Sequence, residues 1–92
     1  MNDISVACSE SNAGWQANVR VSDARSSREY SVTVTRTELA RLDPGASEPS
    51  DLVRRSFEFL LAREPKESIL STFGLSVIGH YYPDYEREIT RK

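Results

Sequence analysis

Few groups in this sequence have the capacity for covalent or acid–base chemistry: one thiol, Cys8, one imidazole, His80, and a carboxylate, Asp84, placed four residues beyond the histidine. A cysteine, a histidine base and an orienting acid together make a nucleophilic triad, provided that folding brings them together. A helical i,i+4 contact between His80 and Asp84 needs an unbroken helix, and Pro83 interrupts it. Cys8 has no cationic neighbour along the chain to lower its pKa. The expectation for His80 is therefore a surface or half-buried structural residue, and a hydrolase built on it is the last of three functional readings. A single histidine and a single cysteine do not fill a structural metal site from one chain, and they exclude an intramolecular disulfide. No metal, cofactor or catalytic residue is expected.

The most distinctive polar cluster is Arg63-Glu64-Pro65-Lys66-Glu67-Ser68. It reads either as a charged docking surface at a helix junction or, more simply, as a helix boundary. In the second reading Pro65 makes the break, Glu67 supports the next helix N-terminus, and Arg63 and Lys66 are solvated. Arg54, Arg55, Arg63 and Lys66 would support nucleic-acid binding if they converged on one surface, but the net charge of −2 argues against a phosphate-binding footprint. Residues 66–82 have the outline of a helix-turn-helix around Gly74. Their second helix offers Ser76, Gly79 and His80, with no arginine or lysine to read bases. Tyr81, Tyr82 and Tyr85 cluster around Pro83. Amphipathic aromatics serve a core or an interface equally well.

These residues are positioned by elements that the periodicity outlines. Trp15, Ala17, Val19 and Val21 alternate with polar residues, as do Tyr30, Val32 and Val34, and the short polar link at 23–28 joins the two runs as an antiparallel hairpin. Ile4, Val6 and Cys8 alternate too, so residues 1–14 form either an edge strand or a frayed start. Thr35 and Glu38 have capping-box spacing before a short helix that Asp43-Pro44-Gly45 ends. The strongest helix covers 50–63, with Ser50 as N-cap and Leu52, Val53, Phe57, Leu60 and Leu61 as its apolar stripe, Phe59 lying at the margin. Arg54, Arg55 and Glu58 fall on the opposite face, Arg54 and Glu58 as an i,i+4 pair. Pro65 then starts a second helix with Ile69, Leu70 and Phe73 on its apolar face, stopped by Gly74. Leu75, Val77, Ile78 and Tyr81 make a last short helix, and 84–92 is a charged tail anchored by Tyr85 and Ile89.

The segment Ser56-Phe57-Glu58-Phe59-Leu60-Leu61-Ala62-Arg63-Glu64-Pro65-Lys66-Glu67-Ser68-Ile69-Leu70 is followed by Leu75-Ser76-Val77-Ile78 and Tyr82-Pro83-Asp84-Tyr85-Glu86. Together these resemble a group of small bacterial proteins with no assigned activity. The resemblance covers about the last forty residues well and the hairpin more loosely. It implies a bacterial cytosolic origin and carries over no catalytic or binding residue.

At 92 residues, with 38% hydrophobic and 28% charged residues and eight aromatics including Trp15, the chain suits one domain with one core rather than a disordered segment. No apolar run approaches the ~18 residues that span a membrane. The start of the chain lacks a basic, apolar leader, and the expected location is the reducing cytosol. The expected fold class is α+β: an antiparallel β-hairpin or three-stranded meander, then one main helix and two or three short helices packed on one face. Within a single domain over 1–92, the hairpin takes 15–35, the helical part 36–83 and the tail 84–92. The leading function is a non-enzymatic interaction or regulatory module that binds protein, using a surface drawn from Trp15, Arg63, Lys66, Tyr81, Tyr82 and Tyr85. A homodimer through a strand edge or the tyrosine surface is the expected oligomeric state.

Overall fold

The alternating runs form a sheet in the computed structural model, which describes residues 3–90. Strands β1 (Asp3–Glu10), β2 (Gly14–Ser22) and β3 (Ser27–Thr35) are consecutive antiparallel neighbours. The register sets Trp15 opposite Val34, Ala17 opposite Val32 and Val19 opposite Tyr30, so the apolar sets of β2 and β3 share one face. The segment that the sequence leaves as strand or frayed start is thus a strand over 3–10, with Val6 opposite Val19 and with Ile4, Val6 and Cys8 half-buried between exposed neighbours. Residues 1–2 lie outside the described part. At the β1–β2 turn the backbone passes so close to β3 that a Cβ on Gly14 would sit 2.1 Å from the Val34 carbonyl oxygen. Only glycine fits there.

Helix α1 (Arg36–Leu42) starts from the capping box that the spacing predicts: the Glu38 N–H donates to Thr35 Oγ1 at 3.0 Å, and the Thr35 N–H donates to Glu38 Oε1 at 2.8 Å. Helix α2 (Ser50–Leu61) buries Leu52, Val53, Phe57 and Leu60 against the sheet. Its cap differs from expectation. Pro49 is the N-cap, Ser50 is the first helical residue, and the Ser50 hydroxyl turns to the Glu48 carboxylate. Phe59 is buried rather than marginal, edge-on to Tyr85 at 5.3 Å and to Tyr82 at 5.7 Å. Ser56 completes the buried stripe because its hydroxyl has partners, donating to the Leu52 carbonyl at 2.8 Å and lying 2.6 Å from the Tyr85 hydroxyl.

The largest departure from the sequence reading lies at 65–74. The helix expected there is a single 3-10 turn, Lys66–Ser68, preceded by Pro65 in extended conformation (φ −70°, ψ 157°) and followed by Ile69, also extended (φ −78°, ψ 135°). The chain then adds strand β4 (Thr72–Gly74) in parallel beside β3, with Val32 opposite Phe73. A short apolar run is compatible with either period, and the open edge of β3 decides between them. The Ser31 N–H donates to the Ser71 carbonyl at 2.7 Å, and the Leu75 N–H to the Thr33 carbonyl at 3.0 Å. The long connection through α1 and α2 is what a parallel neighbour requires.

Helices α3 (Val77–Tyr81) and α4 (Tyr85–Thr90) close the chain. The charged tail is therefore an ordered helix over 85–90 that buries Tyr85 and Ile89, while residues 91–92 lie outside the described part. The fold is α+β, a four-stranded mixed sheet with its helices over one face. No helix among the described residues is long and apolar enough to cross a membrane.

Candidate functional site

Short elements meet at the β4 side of the sheet, and they leave an opening. Leu60 near the end of α2 and Glu64 just past it form one wall. Ile69, Leu70 and Phe73, with Val77, Ile78, Tyr81 and Tyr82, line the rest of the opening. The resulting groove encloses about 370 Å³. Across it the Tyr82 hydroxyl donates a hydrogen bond to the Glu64 carboxylate. That bond, with burial as a second cause, holds the Tyr82 hydroxyl pKa above its ordinary value. The only large hydrophobic side chains that stand exposed among the described residues are Leu70, 51% exposed, and Tyr81, 68% exposed, and both line this groove.

The tyrosine cluster therefore divides. Tyr81 is in solvent on the groove and Tyr82 is half-buried in its wall, whereas Tyr85 is 1% exposed and its hydroxyl pKa is pushed up to about 12, chiefly by burial. Trp15 joins the core, capped by the Arg36 guanidinium 4.9 Å from its ring centre, and does not belong to this surface. Leu70 and Glu64 complete the groove; the sequence places Glu64 in the 63–68 cluster, read as a docking surface or a helix boundary, and Leu70 only on the apolar face of a helix. The signal for Leu70 was its neighbourhood. With a 3-10 turn and the short strand β4 in place of a helix, Ile69 and Phe73 are buried and Leu70 is exposed.

Within the polar cluster at 63–68 one residue is enclosed, while Arg63, Glu67 and Ser68 are exposed as the sequence suggests. Lys66 is 6% exposed, a correction to its solvated placement. Its Nζ lies 2.6 Å from Asp23 Oδ2 and 3.0 Å from Glu67 Oε2, and its carbonyl accepts the Tyr30 hydroxyl at 2.6 Å. Asp23 also closes the β2–β3 turn, with Oδ1 accepting the N–H groups of Arg25 at 2.8 Å and Ser26 at 3.0 Å. The lysine first, and those N–H groups next, hold the Asp23 carboxyl far below its ordinary range. Asp23 and Glu67 in turn raise the Lys66 pKa.

The three arginines also have acceptors within the chain, although Arg54 and Arg63 remain exposed. Arg54 donates to the Ile4 carbonyl at 2.7 Å. Arg55 is half-buried rather than on a solvated face, reaching Asp51 at 2.9 Å, Asp43 at 3.1 Å and the Ile89 carbonyl at 2.6 Å. Arg63 lies 3.6 Å over the Phe59 ring, donates to the Phe59 carbonyl at 3.0 Å and faces Asp84 at 3.4 Å. Each of the four cations considered for nucleic acid has internal acceptors.

His80 is exposed beside a second opening of about 380 Å³, which it shares with Arg41, Ser76 and Glu86. The carboxylate nearby is Glu86, held by Arg41 at 2.6 Å, while Asp84 turns to Arg63. No hydrogen bond joins the His80 ring to Ser76 or Glu86 among the described residues. Cys8 stands on β1, at the opposite edge of the sheet from β4, and burial first, then Glu48, raises its thiol pKa, which disfavours the reactive thiolate. No group of three or more histidine, cysteine, aspartate or glutamate side chains among the described residues is placed to hold a metal ion.

The site and fold together define a small α+β domain with an open apolar groove at one corner of its sheet. Comparison with protein-family models, with curated proteins and with solved structures gave no match.

Proposed function

We propose that this chain is a non-enzymatic protein-binding module and that the groove between the end of α2, β4 and α3 is its docking site. The observation that carries this reading is the coincidence of Leu70 and Tyr81, the two exposed large hydrophobics among the described residues, on one concave apolar surface. Isolated exposed hydrophobics are ordinary, but two on the rim of one opening mark an interaction surface. Tyrosine suits such a rim because it supplies large contact area with few rotatable bonds and a polar tip. A single half-buried thiol is compatible with a reducing compartment, the cytosol being the location this reading assigns.

The test compares three proteins: wild type, a Leu70→Asp/Tyr81→Ala double variant, and Thr33→Asp on the open face of the sheet. A binding protein recovered from the native host is identified, purified and titrated by calorimetry. It binds wild type and Thr33→Asp alike and loses at least about tenfold in affinity for the double variant, as loss of an anchor at the centre of a contact does. Equal binding to wild type and the double variant contradicts the reading. Light scattering over a concentration series decides whether the occupant is a second copy. A dimer mass that the double variant abolishes assigns the groove to self-association instead.

A further inference from the structure

We infer that the groove takes a short segment of another protein in which one or two bulky apolar side chains stand beside a lysine or arginine; this rests on the docking reading above. The apolar half follows from the lining and the volume. A cavity of ~150 Å³ accommodates one benzene ring, so about 370 Å³ holds about two such groups, a pair of large side chains rather than an extended surface. The basic half follows from charge. Glu64 is the ionisable carboxylate or amine on the groove wall, and its hydrogen-bond partner among the described residues is the neutral Tyr82 hydroxyl. The cations nearest to it in the chain are turned elsewhere: Arg63 is stacked on Phe59 and faces Asp84, and Lys66 is enclosed by Asp23 and Glu67. Arg63 lies near enough for its charge to act on the Tyr82 hydroxyl, but Glu64 makes no ion pair among the described residues, and a donor cation from outside supplies the salt bridge that the chain does not make. The same charge disfavours a second copy as occupant. A two-fold contact sets one patch against the same patch, which carries a second Glu64 and no cation among its lining residues.

The experiment is selection from a random decapeptide display library on four proteins: wild type, Glu64→Gln, Glu64→Lys and Leu70→Asp. Glutamine keeps an oxygen to accept the Tyr82 hydroxyl while removing the charge, and thermal melts confirm that each variant is folded. Wild type enriches peptides with a bulky apolar residue within two or three positions of lysine or arginine. Those peptides bind Glu64→Gln about three- to fivefold more weakly, the scale of a partly exposed ion pair. Glu64→Lys shifts the selected charge to aspartate or glutamate while the apolar anchor persists, and Leu70→Asp loses the anchor as well. An apolar anchor selected with no excess of basic residues, or a basic preference that survives in Glu64→Gln and Glu64→Lys, overturns the charge assignment and leaves the docking site standing. Peptides that bind Leu70→Asp as well as wild type, or no enrichment on wild type, overturn the docking reading on which it depends.

Discussion

Helix α2 runs between two unlike surroundings. Over β1–β3 its side chains are sealed: Leu52, Val53 and Phe57 are inaccessible, with Phe57 ringed by Tyr30 at 5.1 Å and Phe73 at 6.1 Å, and even the Ser56 hydroxyl has two partners. At its far end, Leu60 and the following Glu64 face an opening bounded by elements of three to five residues. Long strands in fixed register offer a continuous face that one amphipathic helix can cover. A 3-10 turn, a three-residue strand and a five-residue helix meet at angles that leave a gap. Completeness of cover, more than composition, separates the part of this protein that holds it together from the part that stays open.

Substitutions that fall on either side of that divide sharpen the contrast. The largest effect is expected at Phe57. Phe57→Ala costs about 3–5 kcal/mol in chemical denaturation, the usual cost of deleting a buried phenyl ring. A loss no larger than that of a surface residue would show that the α2–sheet interface is not the core.

Arg55 comes next and departs from the sequence expectation. From the helical wheel alone its loss should stay within about 0.5 kcal/mol, but its guanidinium ties α2 to Asp43 and to the Ile89 carbonyl of α4. Arg55→Ala should cost about 1–2 kcal/mol, the scale of charge-assisted hydrogen bonds. A change below half a kcal/mol would place those contacts among the surface pairs that contribute little. Two tyrosines four residues apart make the same point at smaller scale. Tyr85→Phe removes the buried contact to Ser56 and should cost about 0.5–1.5 kcal/mol. Tyr81→Phe should leave the midpoint unchanged. Equal effects would mean that the tyrosine cluster does not divide into core and rim.

The Asp23–Lys66 tie is read by its pH dependence rather than its size. Lys66 and the turn N–H groups depress the folded-state pKa of Asp23, so its contribution is present above the unfolded carboxyl value of about 3.9 and is lost as pH falls through the lower folded value. Asp23→Asn therefore lowers the melting temperature at pH 7, and its curve converges on wild type at strongly acid pH. A gap that is constant down to acid pH would show that the Asp23 charge is not the source of the difference.

The sheet was legible because sustained alternation has one reading, as in the seven residues Trp15–Val21 against the five of Tyr30–Val34, and the Thr35–Glu38 capping box marks its helix locally. The β4 corner was not. Ile69, Leu70 and Phe73 fit a helical stripe as well as a strand, and their conformation is set by pairing to Ser31 and Thr33, some forty residues away in the chain. The same distance hid the enclosure of Lys66, because Asp23 lies in a turn on the far side of two helices in sequence. Local pattern identified tyrosines at the site, but only the long-range pairing exposes Leu70 and aims Glu64 across the groove.

The claim that open apolar surface is confined to this corner is tested most directly by nuclear magnetic resonance, titrating the isotope-labelled protein with benzyl alcohol as a small apolar probe. The account predicts saturable shifts at Leu60, Ile69, Leu70, Val77 and Ile78, with Asn18 and Thr33 on the open sheet face unmoved. Shifts spread evenly over the surface, or centred away from these residues, would contradict it.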